Sequence, residues 1–260
     1  MSHFKVLVIG TNVEDQLEKF DECLEMPQYV RYTKEDLIQN FKNGLESYKN
    51  GIYAEYLKDR IKYAEENNAQ EAHLNYLSTE FPQRLSWSDE QIYAHQIADY
   101  EEAEITPEGG VYSTYNPNSK WDWYVEGGRY KNSLLLKNGK HVDSAIKSQI
   151  DWAKMRELSI KQRRENYQEC MKKIEAGETF AAYLYSVECK DGIFETEEEY
   201  VGDGSFSCFA VVKDGKWYER GEMGWWAIVS NENKDWDKEL AKLIAESPEN
   251  EKFTIVDCHI

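Results

Sequence analysis

A chain of 260 residues with eight Trp and eighteen Tyr is long enough for a sizeable core and too aromatic to be disordered. Its 49 acidic against 31 basic residues give a net charge of −18, which repels phosphate backbones, so direct nucleic-acid binding is not expected, whereas a basic protein surface would be attracted. Cys23, Cys170, Cys189, Cys208 and Cys258 form no CxxC pair, the start lacks a signal-peptide pattern, and no apolar run approaches the ~18 residues of a membrane span; a reduced, cytoplasmic protein with no membrane association is expected.

His3 to Ile9 reads as a central strand, apolar on nearly both faces. Gly10-Thr11-Asn12 turns the chain into a helix from Val13, with Glu14 and Asp15 placed for the helix dipole. Thr33, with Asp36 three residues on, starts a long helix whose apolar stripe is Leu37, Ile38, Phe41, Leu45 and Tyr48. More helix is expected through 52–79 and over 88–99. The charged helical block 33–100 reads as an insertion, placed as a lid, in a core made of 1–32 and 101–260.

Turn signals follow at 106–110 and 115–119, with a short strand at 111–114 between them. After the cluster Lys120 to Tyr130, Ser133 to Leu136 and a Lys-Asn-Gly-Lys turn suggest a hairpin, and a helix is expected over 144–175, ending at Gly177. Strands are expected at Phe180–Cys189, Ser207–Val212, Trp217–Tyr218, Trp225–Val229 and Phe253–His259, with an amphipathic helix at Asp235–Glu246. The order predicts an α+β fold: a ferredoxin-like or related mixed or antiparallel sheet, helices on one face, and a large helical insertion. The first and last strands would be antiparallel neighbours.

Three constellations carry candidate chemistry. In the first, Trp121 and Trp123 would share one face of a strand and Asp122 and Tyr124 the other; Gly127 and Gly128 would let the backbone approach a ligand, and Arg129 would grip its phosphate or carboxylate. The alternative is a glycine turn between core strands with Arg129 paired to Asp122. In the second, His3, Asp257 and His259 would meet across the paired end strands, as ligands of a divalent metal or as an acid–base set. In the third, Arg220 and Glu222 bracket a glycine-flanked turn before Trp225 and Trp226, one of which would be open for stacking. As acid–base groups, Asp122 and Glu222 are the candidates. No P-loop, HExxH, GxSxG or zinc-finger spacing is present.

The Met-Ser-His-Phe start, the Tyr-Asn-Pro-Asn-Ser-Lys-Trp-Asp-Trp-Tyr…Gly-Gly-Arg centre (Tyr115 to Arg129), Gly224-Trp225-Trp226 and the Val-Asp-Cys-His-Ile finish resemble an uncharacterised family of bacteriophage and prophage proteins. The resemblance implies a phage-encoded protein in the host cytoplasm and supplies no catalytic residues. It favours a protein that binds a host factor, or a small anionic or nucleotide-like ligand, to modulate the host or counter its defences. The alternative is an enzyme acting on a small anionic, phosphate-containing substrate, with or without a metal.

Overall fold

A computed structural model of the chain describes residues 2–177, 196–224 and 228–260. In chain order the described strands are β1 (His3–Ile9), β2 (Tyr29–Tyr32), β3 (Val111–Ser113), β4 (Trp123–Glu126), β5 (Leu134–Leu135), β6 (His141–Val142), β7 (Ser144–Ile146), β8 (Ala210–Lys213), β9 (Lys216–Glu219), β10 (Glu222–Met223), β11 (Val229–Ser230) and β12 (Lys252–His259). The chain divides into two compact units, Met1–Leu24 with Asn116–Ile260, and Glu25–Tyr115.

The first unit is built on a mixed sheet of order β4-β12-β1-β8-β9, with β7 also paired to β12. β12 runs antiparallel to β1 in the register His3↔His259, Lys5↔Asp257, Leu7↔Ile255, so the expected pairing of first and last strands is present. β1 and β8 are parallel, which separates this sheet from the all-antiparallel ferredoxin-like alternative. The fold is α+β with a mixed sheet.

Strand alternation sorts the core into two layers. Phe4, Val6, Val8, Val256 and Cys258 face one way and pack with Val13 and Leu17 of α1 (Val13–Leu17), Phe20 and Trp121. Leu7, Ile9, Phe253 and Ile255 face the other way, against Trp236 and Leu240 of the helix Trp236–Glu246 and against Trp152 and Met155. Helices therefore cover both faces of the sheet, not one. The cause is visible in β1: both of its side-chain rows are apolar from Val6 onward, so neither can be left in water.

The helix expected over 144–175 begins at Trp152 instead. Ser144, Ala145 and Ile146 pair with Thr254, Phe253 and Lys252 as β7, and the Asp151 side chain then accepts from the Lys154 backbone N to start the helix. The strand expected at Phe180–Cys189 lies outside the described residues.

The second unit is wider than the block 33–100, because β2 and β3 pair with each other (Tyr29↔Ser113, Val30↔Tyr112) and belong to it. Its longest helix, α2 (Lys34–Tyr48), starts with the capping box read from Thr33 and Asp36, and Ser88 with Gln91 caps the helix Asp89–Ile97 in the same way. The helix expected through 52–79 is broken into short pieces, one break falling at Asp59, whose extended backbone lets its carboxylate accept from Ile61 N and Lys62 N. Tyr56, Tyr63 and Leu77 form this unit's own small core. Among the described residues no helix is long and apolar enough to cross a membrane.

Candidate functional site: two paired histidines

The register of β1, β12 and β4 decides what meets at one end of the sheet. His3 and His259 are Cα partners, and His259 is in turn the partner of Trp123 on β4. Strand alternation puts all three side chains on one face, with Asp257 two residues below His259. The imidazole centroids of His3 and His259 are 5.0 Å apart, and the Trp123 indole lies 5.3 Å from each, stacked on His259 and edge-on to His3.

Each imidazole has its own carboxylate. His3 Nδ1 lies 2.9 Å from Asp257 Oδ1, and His259 Nδ1 lies 2.6 Å from Asp122 Oδ1. An ionised carboxylate can only accept, so in this arrangement Nδ1 carries the proton on both rings and Nε2 is the nitrogen left for chemistry. Neither Nε2 has a protein partner among the described residues. The sole buried, unpartnered side-chain N or O atom there is Trp152 Nε1, so both Nε2 atoms touch solvent even though the His3 and His259 side chains are only 11% and 6% exposed.

Asp257, 2% exposed, is a node. Its Oδ2 accepts from the Arg129 backbone N at 2.8 Å, which sets the carboxylate plane for His3. That contact needs Gly128: a Cβ there would stand 2.5 Å from both Asp257 Cβ and Oδ2, and the residue has φ +51°. Gly127 in the same way leaves room for the Asp143 carboxylate, whose Oδ1 accepts from Asn132 N. The two glycines thus admit carboxylates of their own chain, where an external ligand was expected.

The other candidate residues separate. Trp121 does not share a face with Trp123. β4 begins only at Trp123, and Trp121 turns into the core, 6% exposed, where its Nε1 donates to Leu17 O at 3.2 Å. Tyr124 packs edge-on against it, and burial raises its phenol pKa. Both are framework residues. Arg129 is not paired with Asp122; its guanidinium is exposed and makes no ion pair among the described residues. Arg220 pairs with Glu232 at 2.8 Å, and Glu222 accepts from Asn231 Nδ2 at 3.0 Å on the separate two-stranded sheet β10–β11. No described hydrogen bond or ion pair joins either one to the paired histidines. Trp225 and Trp226 lie outside the described residues.

As a metal centre the set does not fit. Among the described residues no group of three or more His, Cys, Asp or Glu side chains is arranged to hold a metal ion. The physical reason is that Asp257 is already engaged by His3 Nδ1 and Arg129 N, and Asp122 by His259 Nδ1, which leaves the two Nε2 atoms short of a third ligand.

Tyr130 was not among the candidates. Its hydroxyl donates to the His3 carbonyl at 3.1 Å, and its pKa is raised first by burial and then by the Asp257 charge. Its place directly after Gly-Gly-Arg was the available signal. Lys5, the Cα partner of Asp257, has its ammonium 4.8 Å from the Phe206 ring centroid, and burial lowers its pKa. Compared with protein-family models, curated proteins and solved structures, the chain matches none.

Proposed function

We propose that this chain is a phage-encoded enzyme that performs general acid–base chemistry on a small anionic, phosphate-containing substrate at His3 and His259. The observation that carries the reading is the pair of imidazoles 5.0 Å apart, each held through Nδ1 by a separate carboxylate. A transfer to or from an oxygen needs one group to take a proton and another to give one, and two oriented imidazoles supply both roles. Asp257 and Asp122 keep each ring in one orientation. The exposed Arg129 guanidinium is the anion grip, and the half-exposed Trp123 is the wall against which the substrate lies.

The test is a ³¹P NMR screen of phosphomonoesters, phosphodiesters and cyclic phosphates against wild type, His3→Ala and His259→Ala. Turnover by wild type that both variants lose supports the reading; turnover unchanged in both variants, or none across the panel, defeats it. A second reading, binding of a basic host protein to counter host defence, is favoured by the net charge of −18. It predicts a salt-sensitive complex captured from host lysate that His3→Ala and His259→Ala leave intact.

A further inference from the structure

The Asn116 to Lys120 stretch takes no part in the paired-histidine site, yet it is firmly held. Asn116 is fully buried; its Nδ2 donates to Lys19 O at 2.8 Å and Asp21 O at 2.9 Å, and its Oδ1 accepts from Asn118 N at 3.0 Å. This fixes the loop beside a groove of about 530 Å³, whose wall carries Lys19, Phe20, Lys120, Lys216, Trp217 and Glu219. Phe20 and Trp217 belong to the layer with Phe4 and Val6 and Tyr218 to the layer with Leu7 and Ile9, so the groove runs along the β9 edge of the sheet, away from the β4-β12-β1 end that carries the histidines.

Three lysines and one glutamate lining a groove are out of character for a chain of charge −18. The carboxylate is engaged internally: Glu219 Oε1 accepts from Lys120 Nζ at 2.6 Å, and Oε2 accepts from Trp217 Nε1 at 2.8 Å. Lys19 and Lys216 have no ion pair among the described residues, although both border the tight Asp214-Gly215 turn, where a Cβ on Gly215 would come 3.0 Å from Lys19 Nζ. The groove therefore keeps two lysines that no carboxylate among the described residues neutralises, the Lys19 ammonium lying 5.3 Å from the Phe20 ring centroid. Beside it, the partly exposed Trp217 indole packs on the buried Phe20 ring, with centroids 5.1 Å apart.

We infer that this groove is a second site that binds a mononucleotide, its phosphate between Lys19 and Lys216 and its base against Trp217. Lysine holds phosphate as a point charge, and a base stacks on an indole without needing a sequence-specific edge. The Glu219 bridge orients the indole and keeps the third lysine from closing the groove. Volume, charge and aromatic wall all match a nucleotide better than inorganic phosphate, which would leave the rings idle. The inference stands independently of the chemistry assigned to His3 and His259.

Isothermal titration of the full chain with AMP, adenosine and inorganic phosphate tests it, in wild type, Lys19→Ala, Lys216→Ala and His259→Ala. AMP is expected to bind wild type more tightly than either fragment, more weakly at higher salt, and about tenfold more weakly in each lysine variant, the factor of one lost charge-assisted contact. His259→Ala should leave AMP affinity unchanged, and thermal melts should show both lysine variants folded, since neither residue is in an ion pair. Absence of AMP binding at millimolar concentration, wild-type affinity retained in both lysine variants, or phosphate binding as tightly as AMP would overturn the inference. Loss of binding in His259→Ala would overturn it too, by placing the nucleotide at the paired histidines.

Discussion

His3 Nδ1 and Asp257 Oδ1 stand 2.9 Å apart although 254 positions separate them in sequence. The contact exists because β1 and β12 pair antiparallel, and it is mirrored one strand over by His259 with Asp122. Neighbouring imidazoles that each own a carboxylate make an arrangement with two proton-handling atoms and little freedom to misalign.

Removing either ring should separate chemistry from folding. With a substrate found by the phosphate-ester screen, His259→Ala and His3→Ala are each expected to lower kcat by ~10²–10⁴, the usual contribution of an acid or base. Asp122→Asn should lower kcat with little change in KM, since it positions His259 rather than binding substrate. Full wild-type turnover in either histidine variant would argue against a two-group mechanism.

Gly128→Ala is expected to destabilise the first unit by about 3 kcal/mol in denaturant unfolding. The cost combines a positive φ that alanine disfavours with a Cβ forced 2.5 Å from Asp257. Gly139→Ala is the control. It has φ +85° but open space around it, so only the backbone term of about 1 kcal/mol should appear. Equal losses at the two positions would mean that the Asp257 packing contributes nothing.

Much of this arrangement was legible in the sequence where local pattern decides. The alternation of Phe4, Val6 and Val8, the Thr33 cap with Asp36 three residues on, and the amphipathic pattern of Asp235–Glu246 each specify their element through short-range chemistry. Pairing of the end strands brings His3, Asp257 and His259 together, and that pairing followed from the order of elements. Asp122 as the partner of His259 was not legible, because it depends on the register of β4 against β12, which no local signal sets. Trp121 misled for the same reason: strand alternation was carried back two residues past the true start of β4. β7 was hidden because a three-residue strand against β12 leaves no period to read.

Alkaline stability should report on Cys208. Burial pushes this thiol from its ordinary 9.0 up to about 12, so the folded state keeps it protonated when the unfolded chain has lost the proton. A raised folded pKa gives stability that is complete below pH 9 and is lost as pH climbs toward 12, at ~1.4 kcal/mol per pH unit. Burial also raises the Cys258 thiol, in the same sense, while the lowered pKa of Lys5 acts oppositely in this range. Comparison with Cys208→Ala isolates the thiol: between pH 8 and 10.5 wild type should lose about 2 kcal/mol more unfolding free energy than the variant. Parallel curves would contradict the assignment.

Thiol labelling under native conditions should discriminate among the cysteines. Cys23 is exposed, whereas Cys208 and Cys258 are buried with raised pKa values. At pH 8, iodoacetamide followed by peptide mass mapping should modify Cys23 readily and leave Cys208 and Cys258 unmodified until denaturant is added. Native labelling of Cys258 would show that β12 opens, since that strand is enclosed by β1 on one side and by β4 and β7 on the other.

That enclosure of β12 also sets when the histidine site can exist. Its parts come from positions 3, 122 and 257–259, and the strand that carries the last of them is the one against which three others are laid. A chain synthesised as far as residue 250 holds the material for both helical layers yet has no seam to close them along. Proton-handling geometry and completion of the sheet are therefore a single event, and a clip within β12 would erase both. Any ligand bound to both imidazoles would act as a clasp on the whole unit, raising its global unfolding free energy and not only the order of nearby loops.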